Sequence, residues 1–296
     1  MDYTKLLEKI KDSFIRQEEY FFDKHVPEFN KDDKFFADYF NQIAVEPLGD
    51  KPPRFYHTFS PFDVVSNKAP HYAVVFEAGK KILDIEFDKY VSMRTAVMSA
   101  LVLKSIGTKS LKDKKVLIFG SGKIATESVK ILNSVLGLSK VNIISRSGDL
   151  SKIKSVTSDL NILIEVGDIS KIEQFDVIIA HTQTAKPLLT TEDLSRLKKG
   201  AILASFISST EHGEFVDEVY DTDKANIITD WPQTLTGAKD LNRAIKSGIC
   251  NKKEVLQLKE FLLGVKLNKD KQYTVYRSTG TPIQNLAILK ALLSEK

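Results

Sequence analysis

The sequence predicts an α/β protein in which a doubly wound parallel-sheet domain is inserted in a smaller α+β domain. Three observations point there. From Lys115 onward, short apolar runs alternate with helical periodicity, the pattern of βαβ units around a parallel sheet. Before that point, helical segments mix with strand-like stretches, and after about residue 270 the pattern changes character again. The chain of 296 residues, 42% hydrophobic and 28% charged, also exceeds the usual size of one globular domain. The expected division assigns 1–108 plus 270–296 to the smaller domain and 109–269 to the inserted one.

Taken in order, Leu6, Leu7, Ile10, Phe14 and Ile15 fall at helical spacing, an amphipathic helix rather than a signal-peptide stretch. Ala73-Val74-Val75-Phe76 and Ile82-Leu83-Asp84-Ile85 read as strands, and a long apolar segment follows Arg94. Val116-Leu117-Ile118-Phe119 is continuously apolar, as expected of a strand buried on both faces. Helical periodicity follows in Ile124, Val129, Ile131, Leu132 and Val135, then a second strand, Val141-Asn142-Ile143-Ile144. The alternation continues through an amphipathic stretch at 151–160 and the strand candidates Ile162-Leu163-Ile164, Val177-Ile178-Ile179, Ala201-Ile202-Leu203 and Ile227-Ile228. Tyr273-Thr274-Val275-Tyr276 is a last strand candidate, followed by the turn Ser278-Thr279-Gly280 and a helix starting near Pro282, a residue suited to a first helical turn. This last segment is assigned to the first domain, with the chain crossing back.

Composition excludes several classes. The net charge of +4 is spread over alternating Lys and Glu rather than gathered into a basic block, so a nucleic-acid partner is not expected. The single Cys250 can form no intrachain disulfide and completes no cysteine-based metal site, which points to a reducing, cytoplasmic setting. No apolar run approaches the roughly 20 residues that span a bilayer, so no membrane partner is expected either.

The chemistry begins at Gly120-Ser121-Gly122-Lys123-Ile124-Ala125, a G-x-G-x-x-A string that directly follows a strand and opens a helix. That context makes it a Rossmann dinucleotide turn. Gly120 permits the tight turn, Gly122 lets the backbone approach a pyrophosphate, and Ala125 allows close helix packing; the helix N–H groups then face the negative charge. An NAD-preferring fold usually ends its second strand on a carboxylate, whereas this chain has Ser145-Arg146-Ser147 there. A guanidinium flanked by hydroxyls suits a 2′-phosphate, so NADP(H) is expected ahead of NAD(H). The alternative is that Arg146 stacks on adenine or lies in solvent. His181 and Thr182, at the end of a later strand, are expected to contact the cofactor; the alternative for His181 is a solvated or capping histidine.

Tyr90-Val91-Ser92-Met93-Arg94-Thr95-Ala96, the glycine turn and Ser278-Thr279-Gly280-Thr281-Pro282-Ile283-Gln284-Asn285 together resemble three signatures of the ornithine cyclodeaminase/mu-crystallin family, in the same order. The resemblance implies a homodimer with a substrate-binding and dimerisation domain built from both ends of the chain around a Rossmann domain. It implies hydride transfer between a nicotinamide and the α-carbon of a small amino acid or its imine. Arg94 matches the family's substrate-carboxylate arginine, and Arg54 an earlier arginine that also faces substrate. The fork geometry of arginine suits both. The family lysine falls on Lys68 or, in another register, gives way to Asp63.

After Ala201-Ile202-Leu203, cyclodeaminases place an aspartate; here the aligned position is Ser208 or Ser209, with no carboxylate before Glu211. Mu-crystallin, a ketimine reductase, is similar in having serine there. Loss of a base favours imine reduction, which needs a proton donor. The expected site is therefore Arg94, Arg54, Lys68 and Ser209 for catalysis, with Gly120, Ser121, Gly122, Lys123, Ile124, Ser145, Arg146, Ser147, His181 and Thr182 for the cofactor and no metal. Asp230 stays outside it as a strand-end cap. The leading expectation is an imine reductase or amino-acid dehydrogenase. The alternatives are a cyclodeaminase with bound NAD, a ligand-binding protein of the same fold and a condensing dehydrogenase acting on a larger amino-acid conjugate.

Overall fold

Asp2 begins the first helix: its carboxylate accepts from the Thr4 and Lys5 N–H groups, two donors that a helix start leaves unmatched. The helix, Tyr3–Ile15, buries Leu6, Leu7, Ile10 and Phe14 along one stripe. In this computed structural model the described residues are 2–25, 40–60, 70–182, 184, 186–206 and 214–295. They form two units, Met1–Arg94 with Thr281–Lys296, and Thr95–Gly280.

The first unit holds an antiparallel sheet of β1 (Phe21–His25), β2 (Phe40–Leu48), β3 (Lys51–Ser60), β4 (Tyr72–Glu77) and β5 (Lys80–Glu86), paired in chain order. The two strands expected from the sequence are β4 and β5. Between them Ala78 and Gly79 both take positive φ, the two-residue turn whose twist suits a hairpin. Tyr56, Thr58 and Ser60 of β3 and Ala73 and Val75 of β4 alternate inward.

The C-terminal helix, Pro282–Leu293, packs against the first helix and the sheet. Every residue from Pro282 to Leu289 is buried, so it is a core helix without a polar face. Thr281 caps its start by accepting from the Gln284 N–H, and Pro282 occupies the first turn as expected. The Asn285 amide donates to Gln42 Oε1 at 2.7 Å and Thr58 Oγ1 at 2.8 Å, satisfying polar atoms inside that core. The helix Asp88–Ser105 runs through the division between the units and is buried continuously from Arg94 to Leu103.

The second unit is an eight-stranded, wholly parallel sheet: β6 (Val116–Phe119), β7 (Lys140–Ile144), β8 (Leu163–Val166), β9 (Val177–Ala180), β10 (Ala201–Ser205), β11 (Ala225–Thr229), β12 (Val255–Gln257) and β13 (Tyr273–Arg277). Its order is β12-β11-β13-β10-β9-β6-β7-β8. The chain winds outward from β6 through β7 to β8, then returns to place β9 beside β6. This reversal is the switch point at which such sheets bind ligands.

One assignment is corrected here. Tyr273-Thr274-Val275-Tyr276 does not join the first domain; β13 inserts between β10 and β11, and the chain returns to the first unit only at Thr281. Five buried residues in a row make β13 a central strand. β12 is a strand the periodicity did not reveal, and the helix expected over 151–160 closes after Val156. Cys250 is buried in the second unit's core, and burial pushes its thiol up to about 11, which makes it inert at neutral pH. No helix among the described residues is long and apolar enough to cross a membrane, and no three of their His, Cys, Asp or Glu side chains gather as a metal site.

Candidate active site

All the strands of the parallel sheet point their carboxyl ends to one edge, and that edge collects the predicted nucleotide residues. Gly120 closes β6 at φ +107°, and a Cβ there would stand 2.6 Å from the His181 carbonyl oxygen. Only glycine meets both conditions. A Cβ on Gly122, by contrast, would meet nothing within 4 Å, so the backbone is open to an approaching group. Gly122 is also the N-cap of the helix Lys123–Leu136, and no side chain caps it. A 14-residue helix thus presents its first N–H groups, and the positive end of its dipole, at the end of β6. Ala125 is fully buried, Ser121 and Ile124 are half-buried, and Lys123 is exposed. These features fit a dinucleotide pyrophosphate.

β7 ends at Ile144, and Ser145, Arg146 and Ser147 follow in a turn completed by Gly148 at φ +70°. Arg146 and Ser147 are exposed. Asp149, in the same turn, accepts from the Ser151 N–H at 2.8 Å and the Ser151 hydroxyl at 3.0 Å, bonds that hold its carboxyl below the usual range. The end of β7 therefore offers a cation and hydroxyls in place of a ribose-binding acid.

His181 is neither solvated nor a cap. It is buried between Ser128, whose Oγ lies 2.8 Å from Nε2, and Phe206, whose ring centroid is 5.1 Å away. Burial pushes the imidazole down to about 3, so it is neutral at physiological pH and unsuited to proton donation. It packs the end of β9 against the helix Lys123–Leu136 through Ser128. Thr182 beside it gives its N–H to Glu214 Oε1 at 3.4 Å.

Glu214 is a feature the sequence did not reveal. It is fully buried, and its other carboxylate oxygen accepts from the Ser205 hydroxyl at the end of β10. A carboxylate thus reaches this edge from beyond the segment where the serines replaced the expected aspartate. Nearby, Arg277 and Asp240 form a buried ion pair at 3.1 Å, and the Tyr220 hydroxyl donates to the same carboxylate at 2.8 Å. Asp230 at the end of β11 accepts from Ser278 at 2.5 Å and Thr234 at 2.7 Å, a structural tie between strand ends.

In the first unit Arg94 is buried on the helix Asp88–Ser105, and its Nη1 donates to Gln284 Oε1 of the C-terminal helix at 2.5 Å. Two of the three signatures thereby meet. Beside it, Asp88 Oδ1 accepts from the His71 backbone N–H at 2.9 Å and lies 2.8 Å from His71 Nδ1. Arg54 has a different setting from the one expected. Glu46 and Glu77 stand directly opposite it on β2 and β4, and its guanidinium bonds Glu77 at 2.5 Å with Glu46 at 3.6 Å. Glu46 in turn accepts from Tyr56 at 2.6 Å and Lys290 at 2.6 Å. The Arg54 guanidinium is thus engaged by two carboxylates in a cross-strand ion pair. Lys68, Asp63, Ser208 and Ser209 lie outside the described residues.

A cavity of about 570 Å³ opens on the second unit's other side, lined by Lys109, Lys114, Lys198 and Lys199 around Asp176. It sits at the starts of β9 and β10, away from the glycine turn.

Residues 74–295 match the ornithine cyclodeaminase/mu-crystallin family, and the chain belongs to it. A search of curated protein sequences returns no match. Among solved structures, a probable ornithine cyclodeaminase from Bordetella pertussis is similar at TM-score 0.79 and 16% identity, covering 99% of this chain and 94% of that one. The Δ1-pyrroline-2-carboxylate reductase of Thermococcus litoralis, in complex with NADH and L-proline, is similar at 0.75 and 18%, covering 100% and 95%. An archaeal alanine dehydrogenase dimer with bound NAD is similar at 0.75 and 18%, covering 100% and 93%. At these identities the likeness establishes the fold.

Proposed function

We propose that the chain is a nicotinamide-dependent reductase of a small α-imino acid, a ketimine or a cyclic imine such as pyrroline-2-carboxylate, working as a homodimer and using NADP(H) ahead of NAD(H). The observation that carries this reading is the glycine turn: Gly120 is forced, Gly122 is open, and the helix behind it is uncapped. Ser121, Lys123 and Ile124 complete that cradle, and a nicotinamide dinucleotide held there supplies hydride.

Support for imine reduction comes from Arg94. Its planar fork can grip an α-carboxylate, and the Gln284 amide oxygen fixes the guanidinium orientation. An iminium carbon is already electrophilic, so positioning does most of what catalysis requires. Glu214, the carboxylate at the end of β10, spends its oxygens on Ser205 and Thr182, which leaves it a strut rather than a base. Arg146 and its flanking serines support the phosphorylated cofactor, although two of the relatives are described with NADH or NAD. The T. litoralis and archaeal relatives support the substrate class and the dimer, respectively.

Steady-state kinetics test the reading. The protein is mixed with NADPH or NADH and pyrroline-2-carboxylate, piperideine-2-carboxylate, or pyruvate with methylamine, and nicotinamide absorbance is followed. The expected result is imine-dependent oxidation, faster with NADPH. Arg94→Ala should raise the Michaelis constant for the imine at least about 30-fold, equivalent to roughly 2 kcal/mol, with nucleotide affinity kept. NAD-dependent release of ammonia from ornithine, with no imine reduced, would sink the proposal. Nucleotide binding without oxidation would make the chain a ligand-binding protein.

A further inference from the structure

The amino ends of β9 and β10 lie at the edge of the parallel sheet opposite the glycine turn, and the proposed reaction makes no use of them. There the second unit holds a cavity of about 570 Å³, within the roughly 300–1,000 Å³ of a small-molecule site. Its lining is cationic: Lys109, Lys114, Lys198 and Lys199 surround a single carboxylate, Asp176. We propose that this cavity binds a small, non-aromatic molecule carrying phosphate groups, with Lys109 and Lys199 as its principal contacts. The site goes beyond the reductase reading and does not depend on it.

Three observations carry it. The first is charge. Asp176 accepts from Lys198 Nζ at 2.6 Å and from the Lys115 N–H at 3.0 Å, with Lys114 Nζ at 3.6 Å. Burial raises its carboxyl, but these groups outweigh burial and hold it below its ordinary value, so the carboxylate is charged and already engaged. Neither Lys109 nor Lys199 has an ion-pair partner among the described residues. Two lining ammonium groups are thus uncompensated in a concave site, where their fields add.

The second is a fixed frame. Asp176 gives its backbone N–H to the Lys115 carbonyl at 2.9 Å, Gly200 gives its own to Gln272, before β13, at 2.6 Å, and Leu111 bonds Leu136, the last residue of the nucleotide helix, at 2.8 Å. The segments that carry the lysines are therefore tied to the sheet and its first helix by main-chain bonds, and the walls stand before any ligand arrives. Ser110 Oγ accepts from the Lys112 N–H at 3.1 Å, which leaves its own proton for an oxyanion.

The third is the kind of cation. Every cationic side chain of the lining is a lysine. An ammonium is a point charge that can meet a tetrahedral phosphate from any side, whereas a planar carboxylate is matched best by the arginine fork. Among the described residues of the lining none is aromatic, so a nucleobase has no surface to stack on.

Isothermal titration calorimetry with inorganic pyrophosphate tests the proposal, on the full chain at about 0.15 M salt. Gly122→Asp places a carboxylate where a side chain meets nothing and repels an anion from the glycine turn, so the cavity is read alone. The expected result is one pyrophosphate per chain in that variant. Adding Lys109→Gln and Lys199→Gln should weaken it at least about 10-fold, the effect of removing two nearby charges. Adding Lys252→Gln and Lys253→Gln instead removes the same charge before β12, at the far edge of the sheet, and should change it no more than about 2-fold. All four lysines are exposed, and an unchanged thermal midpoint checks that each variant is folded. No saturable binding once Gly122→Asp is present would place the anion at the glycine turn and overturn the proposal. Equal losses in the two lysine pairs would reduce it to net charge and overturn it as well. Citrate binding more tightly than pyrophosphate would overturn the assignment to phosphate.

Discussion

At the scale of single residues, His71 and His181 occupy contrasting environments. His71 keeps a carboxylate partner and some solvent, while His181 is enclosed by Ser128 and Phe206 and held near about 3. The second value has a consequence for stability. The unfolded imidazole titrates near 6.5, so between about 6.5 and 3 the unfolded chain binds a proton that the folded chain excludes. Stability from this group is therefore complete above 6.5 and is lost as pH falls towards 3, by about 1.4 kcal/mol per pH unit in mid-window. Urea denaturation at pH 7 and pH 5 should show wild type losing roughly 1–2 kcal/mol more than His181→Asn across that interval. Identical losses would mean that His181 is not buried as a neutral ring. The same residue marks a limit of sequence reading: its position at a strand end was legible, but its enclosure depends on Phe206, which approaches from just beyond the end of β10.

Elements divide along the same line. The β6–turn–helix unit was legible because its information is local: a four-residue apolar run, two glycines and a helical stripe lie within 21 residues of chain, 116–136. β13 was not, because its place between β10 and β11 is a matter of long-range pairing. The carboxylates around Arg54 were hidden for a similar reason, since Glu46 and Glu77 become its neighbours only through the register of three strands. The cost of a central β13 appears at its end, where Arg277 enters the core and needs Asp240. Removing one partner leaves an uncompensated buried charge, so Arg277→Met should destabilise the protein by about 3–5 kcal/mol in urea denaturation. Arg277→Met combined with Asp240→Leu should cost clearly less than the sum of the single changes. Additive effects would show that the pair is not coupled.

For the molecule as a whole, the fold class and family were legible because three short signatures, from Tyr90, Gly120 and Ser278, fall in order along the chain. The structure gives two of them one setting, since Arg94 and Gln284 bond within the first unit, and gives the glycine turn another at the switch point of the parallel sheet. The Arg94–Gln284 contact and the glycine turn are thus separate constructions in one chain, each with its own packing. Glu214 was beyond reach of the sequence because its partners Ser205 and Thr182 lie at two different strand ends. The proposed function joins the two constructions through the passage of hydride to the α-carbon of an imino acid. NADPH deuterated at C4 on the transferred face, incubated with the protein and pyrroline-2-carboxylate, tests this directly by mass spectrometry and NMR of the product. The result predicted is proline carrying one deuterium, placed at Cα. Proline without deuterium, or nucleotide that stays reduced in the presence of every imine in the series, would contradict it.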